Sequence, residues 1–293
     1  MRFAKYHGTG NDFLMVEDLD DRIHLPSALI EAACDRHRGI GADGMIRIVR
    51  GSEPDVDFMM DYANANGEVA EMCGNGIRCL AKLVYERGLT TSEVIEVQTL
   101  AGRKRLVLDA RDGRVRSVTV DMGVPSLARA DIGLAGDPGA TFVGERMEAL
   151  GRSYEATAVS MGNPHCVLFL NPGDDLGAFD VRAVGSHIEH LPAFANRTNV
   201  EFVVVADGHI RLRVWERGSG ETMACGTGAC AALVASSLTG RCGREAEVEF
   251  PGGVLRVGWR EDDHVFLTGP AVHVFDGELT EDWMRSVLAG AAR

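Results

Sequence analysis

One segment of this chain occurs twice. Met72-Cys73-Gly74-Asn75-Gly76-Ile77-Arg78-Cys79 returns 152 positions later as Ala224-Cys225-Gly226-Thr227-Gly228-Ala229-Cys230. Gly10-Asn11-Asp12 returns at the same offset as Gly162-Asn163-Pro164. Gly88, where the helix after Cys73 is expected to stop, returns as Gly240. The helical stretch Ser27–His37 maps onto Phe179–Glu189, so a single offset without gaps is expected throughout. At about 150 residues per domain, 293 residues suggest two domains. The repeat says that they are two copies of one unit, related by a pseudo-twofold axis.

The local patterns give the unit its class. Strand-like runs fall at Asp55–Tyr62, Val94–Thr99, Arg103–Asp109 and Arg114–Asp121, then at Asn199–Ala206, His209–Glu216, Glu245–Phe250, Val254–Arg260 and His264–Thr268. Short turns such as Asp112-Gly113 and Asp207-Gly208 join several of them, which is hairpin chemistry, so the sheets should be mostly antiparallel. The stretch Cys225–Gly240 carries no charge, and a helix apolar all round must be enclosed on all sides. Cys73–Gly88 carries Arg78, Lys82, Glu86 and Arg87, and reads as a less enclosed copy. The expected fold is α+β: two pseudo-symmetric domains, each a curved, mostly antiparallel sheet wrapped around a central helix. The domains are expected at 1–122 with 271–293, carrying Cys73, and at 123–270, carrying Cys225.

Charge and cysteine content narrow the function. A net charge of −13 disfavours nucleic acid, whose binders need a basic face, and also an anionic membrane surface. The uncharged run Thr222–Gly240 is diluted by glycines and hydroxyl residues, whereas a membrane span needs about 20 predominantly apolar residues. No signal peptide is visible at the N-terminus. The seven cysteines include no C-x-x-C pair, which points to reduced thiols in the cytoplasm. A small-molecule partner remains, and assembly into a homodimer is compatible with this reading.

Each repeated Cys sits at a predicted helix N-terminus, where unpaired N–H groups and the helix dipole favour anions. A thiol there is expected to have a lowered pKa and to serve as a base or nucleophile. The following glycines let a ligand approach the backbone, and the same N–H groups can hold a carboxylate. Two such units facing each other would put thiols on both sides of one α-carbon, as a two-base racemase requires. Cys34, Cys79, Cys166, Cys230 and Cys242 read as core residues.

Other motifs carry less. Gly39-Ile40-Gly41-Ala42-Asp43-Gly44 runs into a strand, not a helix, so the dinucleotide context is missing. Gly226-Thr227-Gly228-Ala229-Cys230-Ala231 fits the looser fingerprint, but no parallel βαβ unit is expected around it. His187 and His190 beside Glu189 read as a solvated helix face. Lys5, Lys82 and Lys104, the only lysines, lack the context of a pyridoxal phosphate site. No cofactor and no metal is expected. A racemase of another amino acid such as proline, or a non-catalytic thiol-redox or metal-binding module, remain as alternatives on the residues alone.

The motifs together resemble the diaminopimelate epimerases over essentially the whole chain. The matching segments are His7–Phe13, Asn64-Ala65-Asn66-Gly67, Glu71–Cys79, Gly162–His165, Arg197–Phe202, Trp215–Thr222 and Ala224–Cys230. The resemblance implies cofactor-free interconversion of LL- and meso-diaminopimelate, for lysine and peptidoglycan synthesis, in a cleft between two similar domains. It implies that Cys73 and Cys225 are the acid and base, and that His165 and Glu216 also matter to catalysis. Asn11, Asn64, Asn163, Asn199, Glu216 and Arg217 match substrate-binding positions. Gly74-Asn75 and Gly226-Thr227 match the helix N-termini that hold the reacting carboxylate. The family often has Gln where this chain has Gly44. The chemistry fits a double zwitterion: Arg217 offers a planar fork to a distal carboxylate, and Glu216 a partner for a distal ammonium. Adjacent side chains on a strand point to opposite faces, so a strand end or bulge is expected at that pair.

Overall fold

Cys73 and Cys225 each stand one residue before a buried helix of 13 residues, Gly74–Glu86 and Gly226–Leu238. The structure is a computed structural model that describes residues 1–171 and 173–291. The chain divides into two compact units, Met1–Val120 with Gly269–Arg293, and Asp121–Thr268. These divisions fall just before the boundaries expected at 122 and 270.

In chain order the elements are β1 (Arg2–Gly8), β2 (Asn11–Glu17), α1 (Ser27–Cys34), β3 (Gly44–Arg50), β4 (Phe58–Asn64), α2 (Gly74–Glu86), β5 (Val94–Thr99), β6 (Gly102–Arg111) and β7 (Arg114–Asp121). Then come α3 (Arg129–Ile132), β8 (Glu145–Ala149), β9 (Arg152–Ser160), β10 (Pro164–Phe169), α4 (Val181–Glu189), β11 (Asn199–Ala206) and β12 (His209–Glu216). The chain ends with β13 (Gly220–Thr222), α5 (Gly226–Leu238), β14 (Glu245–Phe250), β15 (Gly253–Trp259), β16 (Val265–Gly269), β17 (Val272–Glu278) and α6 (Glu281–Ala291).

In the first unit β1 pairs antiparallel with β2 and β17, β3 with β4, and β6 with β5 and β7. β2–β3 and β4–β5 are parallel, joined across α1 and α2. The second unit repeats this: β10–β11 are parallel across α4, and β12–β14 are parallel across α5. The remaining pairs are antiparallel. The fold is therefore α+β and mostly antiparallel, but α5 does lie within a parallel crossover, contrary to the sequence reading. The strand β13 intervenes, and β12 and β14 pair over only Ile210↔Val248 and Arg211↔Glu249, so the sequence carried little trace of it.

In each unit the sheet curves around its central helix. Strands β9, β10, β11, β12, β14 and β15 all pack on α5, while α2 packs on β1, β2, β6 and β17. Alternation puts Ala246, Val248 and Phe250 of β14 inward and its glutamates outward. Both helices stop as expected. Gly88 and Gly240, each at φ +70°, take the left-handed turn that ends a helix without a Cβ penalty. Helix α1 ends at Cys34, three residues short of the expected end, because the Asp35 side chain accepts from the N–H groups of His37 and Arg38 and starts a turn. The single offset also fails in one place. In parallel register Phe13 faces Gly44, and His165 faces Asn199. Gly44 therefore corresponds to Asn199, an offset of 155, while α2 and α5 keep 152.

Helix α2 is not the less enclosed copy that its charges suggested. Arg78 is fully buried, and Lys82 pairs with Glu86 at 2.7 Å while donating to the Val115 carbonyl.

Candidate active site

In the first unit the site grows from the start of α2. Cys73 has extended backbone and occupies the N-cap position, its sulfur accepting from the Gly76 N–H at 3.5 Å. The Cys73 sulfur lies 3.6 Å from Asn11 Oδ1, at the start of β2. Asn75 Nδ2 donates to that same Oδ1 at 3.3 Å, and Asn11 Nδ2 donates to Asp43 Oδ2 at 2.7 Å. Every amide group in this cluster has a fixed partner, so its orientation is set before any ligand arrives. Arg78 anchors it from below, donating to Asn75 Oδ1 (2.9 Å), the Gly74 carbonyl (2.9 Å) and the Pro270 carbonyl (3.2 Å). A buried guanidinium is tolerable only with its donors satisfied in this way. Gly8 has no side chain because a Cβ there would lie 3.0 Å from the Asn75 carbonyl oxygen and 3.1 Å from Arg78 Nη2.

Asn64 stands apart from this cluster. It ends β4, opposite Gly44, and its Oδ1 accepts from the Tyr62 hydroxyl at 2.7 Å.

In the second unit Cys225 takes the place of Cys73, and here the surroundings change. Its sulfur is 3.5 Å from Thr227 Oγ1, which accepts from Asn163 Nδ2 at 3.3 Å. Asn163 Oδ1 meets His165 Nε2 at 3.0 Å, and His165 Nδ1 meets Glu201 Oε1 at 2.7 Å. His165 and Glu201 are both fully buried. Glu216, at the end of β12, accepts from the Thr222 hydroxyl and bonds Cys225. Burial pushes the Cys225 thiol well above its ordinary pKa, and the Glu216 and Glu201 carboxylates push the same way. The lowered thiol pKa expected from the helix N-terminus is thus not what the second unit has: desolvation and two nearby carboxyls outweigh the helix end. Burial likewise raises Glu216 and Glu201.

Glu216 and Arg217 resolve as a strand end: Glu216 closes β12 and Arg217 enters the turn that follows. Asn199 is committed to that turn, its Oδ1 accepting from the Arg217 N–H and its Nδ2 donating to the Pro164 carbonyl, both at 2.9 Å. The Arg217 guanidinium is exposed and donates to the Asn196 carbonyl. Glu189 is not on a solvated helix face. It is buried and takes the Trp215 indole at 2.7 Å and the Gly218 N–H at 2.9 Å, holding the same turn from behind. A carboxylate in the last turn of a helix opposes the helix dipole, and that was the available signal for a tertiary role. Arg78, Asp43, Tyr62, Glu189 and Glu201 are the residues that sequence reasoning did not bring to the site.

The model of the diaminopimelate epimerase family matches residues 3–128 and 157–274. The chain belongs to the diaminopimelate epimerase family. The unmatched stretch between the two blocks holds α3 and β8. A diaminopimelate epimerase of Pelotomaculum thermopropionicum is 48% identical over 282 residues, covering 95% of this chain and 98% of its own length. One of Desulforudis audaxviator is 47% identical over 98% of this chain and 100% of its own. Among solved structures, a probable proline racemase from Agrobacterium radiobacter with bound carbonate superposes with a TM-score of 0.69 at 16% identity, covering 96% of this chain and 93% of that one. A phenazine biosynthesis protein of the PhzF family from Bacillus anthracis gives 0.67 at 17% identity, over 96% and 99%. At such identities these two speak for the epimerase fold alone. No helix among the described residues is long and apolar enough to cross a membrane.

Proposed function

We propose that this protein is a cofactor-independent isomerase of the cytoplasm that interconverts LL- and meso-diaminopimelate, a step toward lysine and peptidoglycan. The observation that carries the reading is the recurrence of one half-site: a Cys before a buried helix, its first glycines, and an Asn from the neighbouring strand. In this proposal Cys73 and Cys225 address opposite faces of one α-carbon. One removes the α-proton as thiolate, and the other returns a proton as thiol. The N–H groups at Gly74-Asn75 and Gly226-Thr227 hold the α-carboxylate, which lowers the cost of the charge that develops when the proton leaves. Asn11 and Asn163 orient these groups, and Asn64 and Asn199 contribute to the pocket walls. Arg217 takes the distal carboxylate. Glu216 serves the distal ammonium and, through its bond to Cys225, keeps that thiol protonated until substrate binds. His165 supports the Cys225 side.

Chiral chromatography of the purified protein incubated with LL-diaminopimelate tests this. The expected result is conversion to the meso isomer without added cofactor, and no racemisation of L-proline. Cys73→Ala and Cys225→Ala should each remove turnover at an unchanged melting temperature. Turnover of proline but not diaminopimelate, or near-parental turnover by either variant, would refute the proposal.

A further inference from the structure

Five side chains of the second unit form one unbroken hydrogen-bonded chain: Glu201, His165, Asn163, Thr227 and Cys225. Its polarity can be followed from end to end. An amide oxygen only accepts, so His165 Nε2, facing Asn163 Oδ1, carries a hydrogen. Asn163 Nδ2 donates to Thr227 Oγ1, and because the Cys225 S–H is taken by Glu216, the Thr227 hydroxyl hydrogen goes to the Cys225 sulfur. At the far end His165 Nδ1 and Glu201 Oε1 are 2.7 Å apart, a distance at which two bare lone pairs would repel. A proton therefore sits between them.

We propose that Glu201 is a positioning residue for the reaction. Through the proton it shares with Nδ1, it fixes His165 with Nε2–H on Asn163 and thereby aims the Thr227 hydroxyl at the Cys225 sulfur. This rests on the reading of Cys225 as one of the two catalytic thiols.

The first unit shows that the fold itself does not require such a pair. The register places Phe13 where His165 stands and Ile46 where Glu201 stands, and both are fully buried. A Cβ on Gly76 of α2 would meet Ile46 Cδ1 at 2.5 Å, and one on Gly228 of α5 would meet Glu201 Oε1 at 2.8 Å. The same helix start thus rests on hydrocarbon in one unit and on a His–Glu pair in the other. Burying such a pair costs desolvation that an apolar pair of similar size avoids. Glu201 Oε2 has no hydrogen-bond partner among the described residues, which suits a carboxyl that keeps its proton. The titratable groups facing the pair are Glu216 from β12, Cys225 before α5 and Cys166 on β10. Burial holds the Glu201 carboxyl above its ordinary pKa.

The test combines imidazole ¹⁵N NMR with kinetics. In the parent protein the His165 resonances, assigned by their loss in His165→Phe, should show Nε2 carrying the hydrogen. Glu201→Gln can still donate from its amide to Nδ1, and should keep that state and most of the turnover. Glu201→Leu should free the ring to exchange tautomers and lower kcat by about 100-fold, with KM little changed. His165→Phe/Glu201→Ile copies the first unit. It should melt at or above the parent temperature yet lose turnover to a similar degree. A bare Nε2 in the parent, or parental kcat in Glu201→Leu or the double variant, would overturn the proposal. If the parent protein itself does not epimerise diaminopimelate, the functional reading fails, and the NMR result still decides the tautomer.

Discussion

Tyr62 closes over Gly44: a Cβ on residue 44 would lie 2.7 Å from Tyr62 Cε2, and 2.6 Å from the Ala63 carbonyl oxygen of the paired strand. A position where the family often carries Gln is here occupied by the ring of a neighbour. The Tyr62 hydroxyl supplies a donor to Asn64 in the same place. Tyr62→Phe should therefore leave the melting temperature nearly unchanged and raise KM for diaminopimelate, because Asn64 loses the bond that orients it. Gly44→Ala should instead lower stability by about 1–3 kcal/mol through overpacking. Thermal melts and Michaelis–Menten kinetics on the two variants separate these effects. An unchanged KM in Tyr62→Phe would remove Tyr62 from the site.

Glu216 and Cys225 are coupled by charge as well as by a hydrogen bond. The Cys225 thiol is raised first by burial and then by Glu216 and Glu201. Glu216→Gln removes the stronger of the two carboxyl contributions, so the thiol pKa must fall and more thiolate must be present at a given pH. Alkylation of Cys225 by iodoacetamide at about pH 8, followed by peptide mapping, should be several-fold faster in Glu216→Gln than in the parent. An unchanged or slower rate contradicts this assignment.

Asp12 ties the strand that carries Asn11 to the loop that carries Asp43. It pairs with Lys5 at 2.6 Å and with both terminal nitrogens of Arg36, and its Oδ1 accepts from the Asp43 N–H. Burial would raise the Asp12 carboxyl, but Arg36 and Lys5 outweigh it and hold the group well below the usual carboxylate range. A depressed folded-state pKa means stability that is present above the unfolded value, about 3.9, and lost as pH falls toward the folded one. Asp12→Asn should cost about 3–5 kcal/mol at neutral pH by leaving the buried Lys5 ammonium, which still donates to the Gly41 carbonyl, without its counter-charge. The gap from the parent should narrow below about pH 4. Urea melts at a series of pH values test this, and a gap that widens in acid would contradict it.

The two central helices were legible because glycines punctuate them at both ends: Gly74 and Gly226 after each Cys, Gly88 and Gly240 at each stop. Strands such as β14 were legible because one face is wet, and alternation records it. β11 begins with six consecutive buried residues, so nothing in its pattern marks Glu201 as different from its apolar neighbours. Arg78 was misread for a related reason. A charge on a helix normally means an exposed face, and its acceptors, the Gly74 and Pro270 carbonyls and Asn75 Oδ1, are fixed by tertiary structure. The local shift to an offset of 155 follows from loop lengths. β2 and β3 are joined by 26 residues, 18–43, and β10 and β11 by 29, 170–198, which adds three, and the shorter β11–β12 turn then brings the repeat back to 152.

The central claim is that two thiols, not one base, work on the two faces of the α-carbon. Incubation with LL-diaminopimelate in D₂O, stopped at early conversion and read by mass spectrometry and NMR, tests it most directly. The account predicts a meso product with deuterium at one α-carbon only, while the unreacted LL isomer still carries protium. Product that retains the substrate's own α-hydrogen, or deuterium entering unreacted LL isomer as fast as product, would mean that a single base serves both faces and would contradict the account.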